Sequence, residues 1–164
     1  KWFSELCFCL MTANWKAKEA IFLQEELAKE GFFDWSEKKL ANFLKEKGHR
    51  FWPQRAERIV LARKYRKIKN ILEKENDKRG WLVNNIKGLG YKEASHFLRN
   101  VGFFDYAILD RHVLSLLGKD AKTLTKNKYL EIETELSKLC SKLGMEQGEL
   151  DLYLFYLKTG NVLK

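Results

Sequence analysis

Lys92 and Asp110 have the residue types and placement for covalent chemistry on a sugar. Lys92 stands two residues after Gly88-Leu89-Gly90, where a segment with helical apolar spacing begins (Ala94, Phe97, Leu98, Val101). A cation in the first turn of a helix faces the positive end of the dipole, which disfavours the ammonium form. A lysine amine freed of its proton is a nucleophile that can form a Schiff base with a sugar C1′. Asp110 precedes a second helical stretch, at the position where first-turn backbone N–H groups bond a carboxylate. An anion fixed there can stabilise a cationic sugar or take a proton from an attacking amine. Each residue alone has a plainer reading, Lys92 as a phosphate-contacting lysine and Asp110 as a helix cap. Their order after the glycines makes them a pair.

The glycines lie between two helical patterns. Trp81, Leu82 and Ile86 mark the upstream one, and the segment led by Tyr91 and Lys92 is the downstream one. Glycine permits positive φ and close backbone approach. Backbone N–H groups of such a turn, followed by a helix N-terminus, form a phosphate-binding shape. Residues 78–101 therefore read as a helix-hairpin-helix DNA-binding element with Leu89 as an apolar plug. A helix–helix turn with no ligand is the plainer alternative.

The rest of the 164-residue chain supports an anionic partner. Net charge is +9 and 45% of residues are hydrophobic, which suits a globular protein that meets a polyanion. Arg55, Arg58, Arg63, Lys64, Arg66, Lys67 and Lys69 form a basic run, either a solvated face or a set of phosphate contacts. Cys7, Cys9 and Cys140 make neither a C-x-x-C pair nor a four-cysteine cluster, so a zinc, iron–sulfur or disulfide framework is not expected. Reduced thiols suit a cytoplasmic setting. Residues 2–11 are apolar almost all round but too short to span a bilayer, and read as a buried helix.

With one proline and few β-branched runs, the spacing predicts an all-α protein. After residues 2–11, Asn14 is placed to cap a helix over 15–29 that stops at Gly31. Ser36 caps a third helix, with Trp35 and Leu40 at hydrophobic-staple spacing, and Gly48 ends it. Pro53 opens a helix over 53–66. Shorter helices are expected at 68–75 and 78–85. The hairpin's second helix runs to Gly102, and an irregular connector over 103–109 leads to the helix that Asp110 precedes. Thr125 caps an amphipathic helix whose buried face is Tyr129, Ile132, Leu136, Leu139 and Leu143. A last helix, 147–159, is apolar on most sides and should be deeply buried or line a pocket.

These residues carry a family resemblance. Gly88-Leu-Gly-Tyr-Lys92 followed by Ile108-Leu-Asp110-Arg-His112 resembles the helix-hairpin-helix DNA glycosylase superfamily. More narrowly, KGLGYKEASHFLRNVGFFDYAILDRH is similar to the archaeal-type 8-oxoguanine DNA glycosylase/AP lyases, as are WFSELCFCLMTAN, GHRFWPQRAERIVLAR and ELDLYLFYLKTGNVLK. Lys87 in place of the proline common before G-x-G, and the 102–109 connector in place of a Gly/Pro-rich loop, are features of that narrower branch. The absent cysteine cluster speaks against the endonuclease III and adenine-glycosylase branches.

The resemblance implies two helical subdomains with the active site in a cleft between them. Residues 1–104 would form the larger bundle, and 105–164 the second subdomain, completed by an N-terminal segment that this chain lacks. It implies excision of 8-oxoguanine, paired with cytosine in duplex DNA, and strand nicking by β-elimination. Lys92 is then the Schiff-base nucleophile and Asp110 its partner. Asn14 enters the gap left by the flipped base and contacts the orphaned cytosine. Gly88, Gly90 and His112 contact the backbone, Phe155 stacks on the base, and Lys164 distinguishes 8-oxoguanine from guanine. Carbonyls of Asn84, Ile86 and Leu89 offer a site for a monovalent cation, while the chemistry needs no metal or organic cofactor. The enzyme would be a prokaryotic cytoplasmic monomer associated with the nucleoid and not with membranes. The alternatives are a non-catalytic helix-hairpin-helix binder and a glycosylase for another oxidised base.

Overall fold

The computed structural model describes residues 1–162, so Lys164 lies outside the described residues. Those residues are helical, with no strand among them, as the spacing predicts. They group into two compact units, Lys1–Leu89 and Gly90 onward.

The first unit is built on α1 (Trp2–Thr12), in which every residue from Leu6 to Thr12 is buried. A helix apolar on all sides must be surrounded. Here α2 (Ala17–Leu27), α4 (Trp52–Ala62) and α5 (Ile68–Leu72) pack on it. α3 (Glu37–Glu46) starts as expected, with Ser36 Oγ accepting from the Lys39 N–H at 3.2 Å. Gly48, at φ 74°, lies just beyond its end. α6 (Lys78–Asn85) has the limits that the spacing predicts.

Two expectations are corrected in this unit. Asn14 does not cap α2, which begins at Ala17 after an extended Lys16. It sits in the turn after α1 at φ 58°. The basic run is also only partly a surface. Arg55 is buried, and Arg63 donates to the carbonyls of Phe32 (2.8 Å), Gly31 (3.2 Å) and Trp35 (2.6 Å). Arg66 bonds the Phe33 carbonyl. These guanidiniums satisfy carbonyls of the 31–35 connection, where no helix ladder does so. Lys64, Lys67 and Lys69 remain exposed.

The second unit contains α7 (Tyr91–Asn100), α8 (Arg111–Leu116), α9 (Lys126–Leu143) and α10 (Gln147–Thr159). Its core joins Ala107, Leu109, Val113, Leu114, Tyr129, Ile132, Leu136, Cys140 and Leu150. Thr125 caps α9 as predicted, accepting from the Lys128 N–H. The buried face of α9 continues through Cys140, whereas Leu139 and Leu143 are exposed. α10 buries only Gly148, Leu150 and Asp151 and leaves Tyr153, Tyr156 and Leu157 in solvent, so it is not a deeply buried helix.

Sequence reading places a boundary at 104/105, but packing groups 90–104 with the C-terminal elements. Three links account for this. Arg99 on α7 pairs with Asp151 on α10. The Gly148 N–H donates to the Phe104 carbonyl at 2.9 Å. The Tyr129 hydroxyl on α9 lies 3.5 Å from Ser95 Oγ. Among the described residues no helix is long and apolar enough to cross a membrane.

Candidate active site

The hairpin runs from α6 into α7. Ile86 leaves α6 in extended conformation, and its carbonyl accepts from the Leu89 N–H at 3.2 Å. Gly88 has φ 96°, and a Cβ built there would lie 2.5 Å from Arg58 Cδ. The backbone conformation therefore requires glycine, and any side chain there would also displace the Arg58 side chain. Gly90 differs, because its φ of −95° is open to any residue. It is the N-cap of α7, its N–H reaching Glu93 Oε2 at 3.3 Å. Leu89 is buried, as an apolar plug should be.

Lys92 lies in the first turn of α7, its side chain 32% exposed. Its Nζ is 3.0 Å from Glu93 Oε1. One glutamate thus touches both the Lys92 amine and a backbone N–H of the hairpin. The spacing did not single out Glu93.

Asp110 caps α8. Its Oδ1 accepts from the N–H groups of His112 and Val113, both at 2.8 Å. Two bonds from the backbone remove the side chain's rotational freedom, so the carboxylate is preorganised. His112 follows on the first turn of α8. Its ring meets Phe155 edge-on at 5.7 Å, and its Nε2 accepts from Arg111 Nε at 3.3 Å. Phe155 is half-buried on α10 and is not simple core.

Asp151 joins the pair. It is buried beside Arg99, and the charges of both Asp110 and Lys92 act on it. Burial raises its carboxyl from the ordinary range to about 7. The Arg99 guanidinium opposes this, Asp110 adds to it, and Lys92 opposes it. The sequence did carry a signal for this residue, as a lone acid in the apolar run Leu150-Asp151-Leu152-Tyr153-Leu154-Phe155. Arg99 was also legible as a position two helical turns beyond Lys92 on α7.

The raised carboxyl has a consequence for stability. Folded Asp151 keeps its proton up to about pH 7, whereas the unfolded chain loses it near the ordinary 3.8. Between those values the folded state binds more protons, so stability falls as pH rises from about 4 to about 7 and levels off above that. Denaturation midpoints at pH 5 and pH 9 should show this fall in the natural chain and a smaller one in Asp151→Asn. Equal falls in both would refute it.

Of the other expected residues, Asn14, Asn84, Ile86, Gly88 and Leu89 belong to the first unit, and Lys92, Asp110, His112 and Phe155 to the second. The second unit thus supplies an amine, an anchored carboxylate, a buried carboxyl and an aromatic ring. That set can form an imine and stabilise positive charge next to it.

Known proteins share this sequence and fold. A family described as 8-oxoguanine DNA glycosylase matches residues 1–145. The chain is 51% identical to the 8-oxoguanine DNA glycosylase/AP lyase of Methanocaldococcus jannaschii, covering 100% of this chain and 83% of that protein. It is 47% identical to the protein of that name from Aquifex aeolicus, over 99% of this chain and 78% of the relative. The crystal structure of the M. jannaschii glycosylase/lyase with a 15mer DNA containing 8-oxoguanine superposes with a TM-score of 0.94 at 49% identity, covering 99% of this chain and 83% of that one. That of the 8-oxoguanine DNA glycosylase of Thermotoga maritima gives 0.91 at 44% identity, covering 99% and 82%. With the glycine hairpin, the lysine and the capping aspartate all in place, this chain belongs to the 8-oxoguanine DNA glycosylase family.

Proposed function

We propose that this protein excises 8-oxoguanine from duplex DNA through a Schiff base on Lys92 and then nicks the strand by β-elimination. The observation that carries this is the position of Lys92 in the first turn after the hairpin, with Asp110 fixed by two backbone bonds and both charges acting on Asp151.

The damaged nucleotide must leave the stack, which costs a few kcal/mol, roughly, and is offset by contacts in the protein. Hairpin N–H groups around Gly88 and Gly90, together with His112, hold phosphates. Asn14 fills the vacated place and meets the orphaned cytosine. Phe155 stacks on the extruded base, and Lys164 is assigned the discrimination of 8-oxoguanine from guanine. The Lys92 amine attacks C1′ as the base departs with a proton. The Asp110 carboxylate stabilises the positive charge that develops on the sugar. The C1′–O4′ bond of the resulting aminal then breaks, O4′ taking a proton as the nitrogen lone pair forms the C1′=N bond, and this imine acidifies the 2′ position. Loss of a 2′ proton breaks the C3′–O bond and nicks the strand on the 3′ side of the lesion.

Carbonyls of Asn84, Ile86 and Leu89 would offer an oxygen-only set of the kind that suits a hard cation. A monovalent ion there would brace the hairpin, with no part in the chemistry. The protein would work as a monomer in the cytoplasm, held on the nucleoid by its affinity for DNA.

Borohydride trapping tests the reading. The full-length protein should form a covalent adduct with a duplex carrying 8-oxoguanine opposite cytosine, and none with an undamaged duplex. Binding without an adduct would leave a non-catalytic DNA-binding protein. An adduct with oxidised pyrimidines in preference to 8-oxoguanine would change the substrate.

A further inference from the structure

Asn14 is the one non-glycine residue at positive φ among those described, and it is exposed. Asparagine enters that region more readily than other non-glycine residues, so the conformation alone asks for no special support. Helices commonly end with glycine in this conformation, which needs no support. Here the turn is asparagine, and a buried apparatus stands beneath it.

Three contacts build that apparatus. His49 Nε2 is 3.1 Å from the Met11 carbonyl in the last turn of α1. Arg55 donates to the Ala13 carbonyl. The Trp15 ring lies on the His49 ring, with centroids 4.0 Å apart and planes 32° from parallel. The Trp15 N–H also closes the turn onto the Thr12 carbonyl at 3.0 Å. His49 is 1% exposed and Arg55 3%. On its other side His49 Nδ1 accepts the Phe51 N–H at 3.2 Å. That bond fixes the tautomer, because an accepting Nδ1 leaves the proton on Nε2, where it points at Met11. Burial and the charge of Arg55 lower the imidazole below its usual range, against the pull of the Met11 carbonyl, which keeps the ring neutral near pH 7. The imidazole therefore bridges the end of α1 and the start of α4 with both nitrogens used.

We infer that His49 is a positioning residue for Asn14, locking the turn 13–15 so that the asparagine meets the duplex already in its gap-filling shape. This rests on the reading of Asn14 as the residue that replaces the flipped base. An ordinary helix stop needs no two buried polar side chains aimed at carbonyls on either side of one residue, as His49 and Arg55 are at Met11 and Ala13 about Thr12. A wedge does, because side-chain and backbone freedom lost on insertion would be subtracted from binding.

The test compares two substrates with different needs. Excision from an 8-oxoguanine:cytosine duplex requires the gap to be filled. Cleavage of a single-stranded abasic site requires only the Schiff-base chemistry. His49→Phe keeps a ring against Trp15 but loses both hydrogen bonds. It should lower kcat/KM on the duplex by about ten-fold or more, and change single-strand cleavage by less than about two-fold. His49→Gln, which can still donate to Met11, should recover most of the loss. Asn14→Ala should lose duplex activity by itself, and adding His49→Phe should cost little more, because the two act through one turn.

Equal losses on both substrates, or fully additive losses, would overturn the role of His49 while Asn14 kept its own. Unchanged duplex excision by Asn14→Ala would overturn the wedge reading itself, and the inference with it. Should His49→Phe not fold, Trp15→Leu removes the ring that rests on His49 from a half-buried position. The same split between substrates is expected of it, and its absence counts against the inference.

Discussion

Lys92→Gln is expected to abolish borohydride trapping and to reduce excision of 8-oxoguanine by about 10⁴-fold or more, a loss of the size seen when a covalent nucleophile is removed. Binding of the lesion duplex should persist. The substitution is mild for the fold. Glutamine is nearly as good a helix former as lysine. The contact given up is the 3.0 Å ion pair with Glu93, in which the lysine is 32% exposed. Partly exposed pairs of this kind contribute roughly 0–1 kcal/mol. Lys87, the other lysine of the hairpin, is held by Glu57 at 2.6 Å and does not offer a ready substitute. Single-turnover excision, adduct yield and a binding isotherm measured on one preparation separate the outcomes. Trapping within ten-fold of the natural protein would mean that another amine is the nucleophile. Loss of binding together with loss of trapping would mean that Lys92 serves as a phosphate contact, its plainer reading.

What could be read from the sequence was local. Ser36, Thr125 and Asp110 act as caps because a side-chain oxygen reaches an N–H two or three residues ahead, within one turn of its own helix. The limits of α6 and the stop near Gly48 rest on the same short range. Gly88 was legible as a glycine the hairpin requires, although the backbone alone did not reveal that Arg58 fills the space beside it. Distant partners were not legible. Arg55 and Arg63 looked like members of a charged face, yet carbonyls some thirty to forty residues away in sequence capture them. Cys140 takes the core position that the three–four spacing also allowed to Leu139 or Leu143, and only the packing of α10 and the 107–109 strip on α9 decides among them. Asp151 is masked in the sequence by its apolar neighbours. Its pairing with Arg99 joins segments that spacing cannot connect. Asn14 has the residue type of a helix cap, whereas the turn it occupies lies beside the Met11 and Ala13 carbonyls that His49 and Arg55 bond, contacts made only in the folded unit. Chemistry-bearing residues at helix starts were thus visible, and the groups that hold them in place were not.

The capping aspartate offers a cleaner separation of structure from chemistry than the lysine does. Asparagine is about as good an N-cap as aspartate, whereas alanine is not. Asp110→Asn can keep the bonds from the His112 and Val113 N–H groups, because its side-chain carbonyl can occupy the place of Oδ1. It loses only the negative charge. The thermal midpoint should therefore stay close to that of the natural protein. Excision should fall by about 10²- to 10³-fold, the range found when one preorganised electrostatic group is removed from a reacting centre. Asp110→Ala should show the same catalytic loss together with about 1 kcal/mol of lost stability from the missing cap. The step affected also matters. Charge develops on the sugar as the base departs, so excision of 8-oxoguanine should suffer more than cleavage of a preformed abasic site, where the base is already gone. If Asp110→Asn excises at the natural rate and Asp110→Ala is merely less stable, Asp110 is a helix cap and its charge has no part in stabilising the sugar.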